Sequence, residues 1–186
     1  MKRLPLLFLF LLVLLVSGCS WLSKDKTAVG DEKSLLKTVN WVQASKLKKG
    51  SKVLIVPFSP GKDVAANDDT DRLALKVVKG CAEVVMGDPQ EGLIVLNMEE
   101  AAKADYILKG RIQRADIIQS GFLGFFRKVH KSIKVSGSII DVNDDGLIME
   151  FSHHRQSRKG HISLNELALL LGRDIGNYLI RTSERK

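Results

Sequence analysis

The order of apolar segments predicts an α+β fold, a mixed β-sheet of about five strands with two main helices packed on one face. Two long segments carry apolar residues three and four positions apart, which is the spacing of amphipathic helices. Five other segments alternate in polarity or are short β-branched runs, as strands do. Their order is strand, helix, strand, three-strand meander and closing helix, which places both helices on one side of the sheet.

The N-terminus has the features of an export signal. Lys2 and Arg3 precede an uncharged apolar run that ends in Val16-Ser17-Gly18-Cys19. This run is too short and wrongly flanked for a membrane-spanning helix. The four residues at its end resemble a bacterial lipobox, which implies that residues 1–18 are a lipoprotein signal peptide and that Cys19 receives lipid. An ordinary secretory signal or an uncleaved anchor is the alternative.

The resemblance to lipoproteins also predicts a location. A single acyl chain binds membranes only marginally, so the three chains of a mature lipoprotein imply lasting attachment. Lipoproteins of this type are kept at the inner membrane by Asp after the Cys, whereas Ser20 stands there in this chain. We therefore expect a lipid-anchored protein of the cell envelope, at the outer membrane and facing the periplasm. Nucleic acid is not an expected partner outside the cytoplasm.

Charge and composition divide the rest of the chain. Removal of residues 1–18 takes away two basic residues and no acid, which lowers the net charge from +8 to +6 and suits an anionic surface. Residues 19–50 are rich in small and charged side chains and are interpreted as a tether, with a coil reach of roughly 30 Å. Within it, residues 31–48 fit a helix or a strand. The α+β envelope domain is expected over residues 51–186.

The first strand and the helix after it have clear end signals. Residues 53–56 form a β-branched run closed by Pro57, as in a strand buried on both faces. The acidic cluster at 67–71 supplies a helix cap and negative charge beside the positive end of the helix dipole. The helix behind it is expected to end near Gly87. Cys81 lies on its apolar face, so we expect a buried thiol rather than a reactive one.

The remaining elements follow in order as strand 93–96, helical piece 99–104, long strand 104–118, strand 129–142, strand 147–155 and helix 164–180. Gly110 indicates either a bulge or a close backbone approach within the long strand. Ser163 with Glu166 three residues later resembles a capping box at the start of the last helix.

Three stretches carry a family resemblance: Val53-Leu54-Ile55-Val56-Pro57-Phe58, Ala104-Asp105-Tyr106-Ile107-Leu108-Lys109-Gly110-Arg111-Ile112 and Gly137-Ser138-Ile139-Ile140-Asp141-Val142. They resemble a group of envelope proteins that includes the curli secretion-channel lipoprotein CsgG, the penicillin-binding-protein activator lipoprotein LpoB and the N-terminal domain of TolB. The resemblance spans about residues 52–180 and rests on packing motifs. It implies assembly or regulation of an envelope machine through protein contacts.

This chain differs from two members of that group in ways that exclude their specific functions from the expectation. The curli-type channel inserts two extra transmembrane strand pairs per subunit, each strand needing about 9–11 residues, and this chain has no such insertions. The activator lipoprotein has a long disordered tether, whereas residues 19–50 are few and poor in proline. Pore formation and direct activation of a synthase across the wall are therefore not expected.

The sequence does not indicate a metal or a catalytic centre. Asp141–Gly146 matches the first six positions of a calcium loop, but Ser152 stands where the loop needs Glu, so a hairpin turn is expected. His153 and His154 are adjacent in a strand and point to opposite faces, and no other histidine has a zinc spacing. No nucleophile elbow or phosphate-binding loop is present. We expect no enzyme, no metal and no cofactor.

One loop of the meander combines large apolar and basic side chains. The candidate contact residues are Phe122, Leu123, Phe125, Phe126, Arg127, Lys128 and Lys131. An apolar tip beside cations is typical of a membrane-interface contact or of the anchor of a protein interface. The alternative is that the phenylalanines fold back over the sheet edge. A second basic group is expected to be solvated and consists of Arg155, Arg158, Lys159 and His161.

These features favour a lipid-anchored, non-catalytic assembly or interaction component of a membrane-bound machine, with an envelope protein as its partner. The alternative is a small-ligand or glycan-binding periplasmic module, because the sheet face without helices could form a groove. A cluster of polar residues such as Lys109, Arg111 and Gln113 on that face, together with an enclosed pocket, would favour this alternative. An enzyme is a further alternative, which a deep cleft with paired carboxylates would favour.

Overall fold

The computed structural model describes residues 36–43, 47–88, 92–120, 128–157 and 162–183, all within the unit Ser34–Lys186. The strands are β1 (Thr38–Trp41), β2 (Ser51–Ile55), β3 (Ser59–Pro60), β4 (Leu93–Leu96), β5 (Tyr106–Ser120), β6 (Lys128–Asp141) and β7 (Leu147–Ser157). The helices are α1 (Asp68–Met86), a 3₁₀ helix (Met98–Lys103) and α2 (Leu164–Ser183). No helix in this part of the chain is long and apolar enough to cross a membrane.

The strands form one mixed sheet in the order β1-β7-β6-β5-β2-β4, with β3 paired to β5 beyond the end of β2. The pairs β2–β4, β2–β5 and β3–β5 are parallel, and the pairs among β5, β6, β7 and β1 are antiparallel. The α+β class and the five predicted strands are confirmed. The two additional strands are short, and β3 contains Pro60, which cannot donate a ladder hydrogen bond. Sequence alternation is a weak signal over so few residues.

β1 answers the question left open for residues 31–48. Thr38–Trp41 is a strand that pairs antiparallel with β7, so Thr38 lies opposite Ser152 and Trp41 opposite Met149. A four-residue segment fits both periodicities, and pairing with an existing sheet edge decides between them.

The predicted end signals of α1 are present in the structure. The Asn67 side chain accepts a hydrogen bond from the Thr70 amide at 3.0 Å, and three aspartates lie in the first turn. The Gly87 amide closes the other end by donating to the Glu83 carbonyl. Cys81 is 1% exposed, and burial raises the pKa of its thiol to about 12. The helix and its buried thiol are therefore as predicted.

α2 begins as its capping signal predicts and packs tightly on α1. The Glu166 amide donates to the Ser163 hydroxyl at 3.1 Å. Gly80 of α1 and Gly172 of α2 face the partner backbone, where a Cβ at either position would come within 2.1 Å of a carbonyl oxygen. Small residues therefore set the distance between the two helices.

The main core lies between the helix pair and the sheet. It includes fully buried side chains from both layers, among them Leu108, Ile133, Ile148, Leu171 and Ile175. A second, smaller cluster of Leu54, Leu96 and Ala104 lies apart from it, with Ala101 of the 3₁₀ helix packed against it. On the sheet face away from the helices, the strands β5, β6, β7 and β1 carry exposed or half-buried polar side chains.

β5 departs from regular alternation at one residue. Ile112 pairs with Val135 and Arg114 pairs with Lys134, so Gln113 is the extra residue of a β-bulge. Strict alternation from Leu108 would have turned Arg114 toward the core, and the bulge turns it outward. The predicted irregularity at Gly110 is a close approach, because a Cβ there would lie 2.5 Å from the Phe58 ring.

Candidate functional site

The predicted contact residues divide into two groups. The predicted lipidation site, Cys19, lies outside the described residues. The same holds for five of the contact residues, namely Phe122, Leu123, Phe125, Phe126 and Arg127. Lys128 is the first residue of β6. The Lys131 ammonium donates to the backbone carbonyl of Ile162 at the start of the α2 region, and its side chain is half-buried.

The hairpin of β5 and β6 ends in a two-stranded stem. Among the described residues, β7 ends where Ser157 pairs with Lys131, whereas β5 and β6 continue to the pair Ser120 and Lys128. Ile118 pairs with His130 in this stem, and Ile117 pairs with Lys131 at the last position where β7 is also paired. The two side chains are 50% and 54% exposed, and because successive strand residues point to opposite faces they present apolar surface on the two faces of β5.

The second site is the uncovered sheet face, which carries polar side chains aligned in rows across four strands. One row, from β1 to β5, is Asn40, Glu150, Ser138 and Lys109, and the next row is Thr38, Ser152, Ser136 and Arg111. Directly opposed residues share a face of the sheet, so these eight side chains point the same way. They line a groove of about 690 Å³, and we call this surface the polar face.

Cations outnumber acids on the polar face. Lys109, Arg111 and Lys134 are exposed, and none forms an ion pair within the described part of the chain. Glu150 is the acid among the groove residues, two strands away from Lys109. Arg114 is instead paired with Asp116. The groove lining includes Lys109, Arg111 and Gln113, the residues whose clustering on this face would favour the ligand-binding alternative.

His154 lies on the polar face near cationic side chains. Its pKa is lowered, first by desolvation and then by nearby cationic groups that include Lys37 and Lys134. The Lys37 ammonium lies 3.1 Å from Nδ1 of His154. The adjacent residue His153 points to the helix side, so the predicted opposite orientation of the two histidines is confirmed.

His153 belongs to a polar cluster beneath α2. Its Nε2 donates to Asp174 Oδ2 at 2.9 Å, and the Arg155 guanidinium donates to the same oxygen. His153 is 6% exposed, and within the described part of the chain its Nδ1 has no hydrogen-bond partner. Arg155 is thus paired rather than solvated, contrary to expectation, because a carboxylate on α2 faces it. Its periodicity in the strand indicated the inward direction but not the partner.

No group of three or more His, Cys, Asp or Glu residues is arranged to hold a metal ion in the described ranges. Asp141–Gly146 forms the predicted hairpin turn, in which the Asn143 amide donates to Asp141 and the Gly146 amide to Asp144. One carboxylate oxygen of Asp141 and one of Asp144 are therefore engaged by the turn itself.

Comparisons with known proteins were made at the level of sequence and of structure. No protein-family model and no curated protein matches the sequence. Among solved structures, the PelC dodecamer from Paraburkholderia phytofirmans is 16% identical, with a TM-score of 0.51 over 74% of this chain and 95% of that chain. A variant PelC dodecamer from the same organism is 17% identical, with a TM-score of 0.52 over 76% and 98%.

What these proteins share is the fold. Lipoprotein GNA1162 from Neisseria meningitidis is a further match, 10% identical with a TM-score of 0.46 over 69% of this chain and 97% of that chain. At such identities a structural likeness is evidence about architecture, and function has to be argued from the site. The resemblance to the CsgG, LpoB and TolB group stays a prediction.

Proposed function

We propose that the protein is a lipid-anchored, non-catalytic assembly component of the bacterial cell envelope, held at the outer membrane by lipid on Cys19 and facing the periplasm. The observation that carries this proposal is the stem of the β5–β6 hairpin. Ile118 in the stem and Ile117 at its base each leave half or more of their surface exposed, on opposite faces of β5. Two such adjacent apolar side chains near the end of the hairpin favour contact with lipid or protein.

The sequence next to the stem supports the same reading. Residues 121–126 contain four large apolar side chains, and Arg127 and Lys128 follow them. The stem would therefore carry an apolar segment with cations at its base, the combination that suits anionic lipid heads or a buried interface anchor. A short tether would keep this hairpin within reach of the membrane.

Self-association is part of the proposal. The two PelC structures with a similar fold are dodecamers. In a closed symmetric oligomer every subunit uses the same set of surfaces to contact its neighbours. We propose that this chain also assembles with copies of itself or with an envelope protein, and that the hairpin contributes to that contact or to membrane contact.

The anchor and the hairpin are tested separately. Cys19→Ala is expected to abolish lipid labelling and signal-peptide removal by the lipoprotein peptidase, and unchanged labelling would end the lipoprotein proposal. For the hairpin, the double variants Ile117→Ser/Ile118→Ser and Phe125→Ser/Phe126→Ser are compared with Leu75→Ser. Leu75 lies on α1 and is 57% exposed, so its variant removes similar apolar surface elsewhere.

The expected result is loss of crosslinked complexes in the native envelope, or weaker vesicle binding, for the two hairpin variants. Their melting temperatures should stay close to that of Leu75→Ser, because exposed side chains contribute little to folding. A large fall in melting temperature would show that these residues are core. Unchanged association in both hairpin variants would remove the hairpin from the proposal.

A further inference from the structure

The polar face has a built arrangement of hydrogen-bonding groups. Ser136, Ser138 and Ser152 form its floor on β6 and β7, and Lys109 and Arg111 stand at one side on β5. Adjacent strands lie about 4.8 Å apart and alternate residues of a strand about 6.5 Å apart. The face therefore presents small hydroxyls on a regular grid beside two cations of the same strand.

The hydroxyl of Ser136 is held ready to donate. Gln113 Nε2 donates to Ser136 Oγ at 2.7 Å, and a hydroxyl that accepts one hydrogen bond keeps its own proton for another acceptor. Gln113 reaches this position because it is the extra residue of the β5 bulge. Bulges commonly redirect a side chain next to a binding site.

The excess of cationic side chains on the polar face favours an anionic ligand. Lys109, Arg111 and Lys134 have no ion-pair partner among the described residues, and Glu150 is the acid of the groove. The lowered pKa of His154 has two cationic neighbours, Lys37 and Lys134, among its causes after desolvation. A guanidinium fork and an ammonium at exposed positions pair well with carboxylate or phosphate.

The composition of the face argues against an apolar occupant. None of the large apolar residues exposed on the described surface belongs to the groove. The cores of protein interfaces are depleted in charge and enriched in aromatic residues, and membrane insertion needs apolar side chains. The groove instead has hydroxyls, amides and cations over a volume typical of a site for a ligand of a few rings.

We propose that the polar face binds an acidic glycan. Lys109 and Arg111 pair with its carboxylate groups, and Ser136, Ser138 and Ser152 hydrogen-bond its hydroxyls. Asn40 and Glu150 bound the groove on the far side, where the acid accepts hydrogen bonds from sugar hydroxyls and repels a second carboxylate. The ligand therefore lies with its charged edge along β5.

The test uses trigalacturonate as the probe and its methyl ester as the neutral counterpart, with the full chain in detergent at low ionic strength. Calorimetry should show binding of the acid and little binding of the ester. Lys109→Gln/Arg111→Gln is expected to weaken binding about tenfold or more. Lys48→Gln/Lys49→Gln removes the same charge from an exposed turn and should retain affinity.

Two further readouts tie binding to this face. His154 lies two residues beyond Ser152 on β7, so an anion bound on this face should raise the pKa of its imidazole, which NMR titration measures in the presence of the trimer. Ser138→Leu fills the floor without changing charge and should also weaken binding, with circular dichroism confirming that the variant is folded.

Several results would overturn the proposal. The first is that the wild-type chain does not bind the trimer, or binds the acid and the ester with equal affinity. The second is that Lys109→Gln/Arg111→Gln and Lys48→Gln/Lys49→Gln weaken binding equally. The third is that the trimer leaves the pKa of His154 unchanged. Binding to phosphatidylglycerol vesicles that the trimer does not displace would identify a lipid surface as the occupant. Self-association lost in Ser138→Leu would identify a second copy.

Discussion

Gly172 of α2 lies so close to Val77 of α1 that a Cβ atom at position 172 would stand 2.1 Å from the Val77 carbonyl oxygen. The relationship is reciprocal, since a Cβ on Gly80 would stand 2.1 Å from the carbonyl oxygen of Leu169. Neither backbone can give way without moving a helix, because both helices also pack on the sheet core.

Gly172→Ala should therefore destabilise the domain even though alanine favours helix. We expect the free energy of unfolding to fall by about 1–3 kcal/mol, because the added methyl group forces the helices apart. Urea denaturation followed by circular dichroism measures this change. Asn165→Ala, at an exposed position of the same helix, is the control and should be neutral or slightly stabilising. Equal behaviour of the two variants would show that the helices can separate without penalty.

A second link between the helices depends on pH. Arg173 donates to Glu83 at 3.0 Å, and this hydrogen bond holds the pKa of Glu83 below its ordinary value of 4.5. A lowered carboxyl pKa contributes stability that is present above pH 4.5 and is lost as pH falls through the folded-state pKa.

The difference in unfolding free energy between wild type and Glu83→Gln should thus shrink between about pH 6 and pH 3. It should also be small, because both side chains are largely exposed and screened by solvent. Urea titrations at several pH values provide the measurement, with Glu99→Gln as the exposed control. A difference that grows on acidification has the wrong sign for this pair.

Asp174 should be the most sensitive acid of the α2 interface. Its Oδ2 accepts hydrogen bonds from both His153 and Arg155. Asp174→Asn therefore leaves the half-buried guanidinium and the buried imidazole without a negatively charged acceptor. We expect a loss of about 1–3 kcal/mol in unfolding free energy. Asp63→Asn, an equivalent change at an exposed loop position, is the reference variant. A loss no greater than that of the reference would mean that the cluster contributes nothing net.

The number of reactive thiols in the unfolded chain tests whether Cys19 carries lipid. Cys81 is buried and its thiol has a pKa of about 12, so iodoacetamide should not modify it in the native protein near neutral pH. After denaturation Cys81 should react. If Cys19 carries lipid, the unfolded chain takes up a single label, which intact mass spectrometry detects. Two labels on the unfolded chain isolated from its membrane would contradict lipidation.

Local signals predicted the parts of the fold that depend on neighbouring residues. The caps at Asn67 and Ser163 and the helix end at Gly87 each need only a few adjacent positions, and all three were found. The side of the sheet that carries Lys109 and Arg111 was also predictable, because alternation up to Ile112 is regular.

Features that depend on distant partners were not predictable. β1 forms because β7 offers an unpaired edge, and the identity of that edge is a tertiary property. The contact of Arg155 with Asp174 joins a strand to a helix beyond an intervening loop, so its charge suggested solvent. Alternation also appeared to continue through Ile118, whereas the bulge at Gln113 changes the phase of the strand.

The position of β1 has a mechanical consequence. Among the described residues it is the first strand, only four residues long, and it joins the sheet at an outer edge. Tension applied from the N-terminal side acts first on the buried side chain of Leu36 and on the β1–β7 ladder. Peeling β1 away would free the chain as far as Leu47, which is 1% exposed, and would add about 3.4 Å of reach per residue released. Pairing or release of β1 would thus change how far the domain extends from its point of attachment.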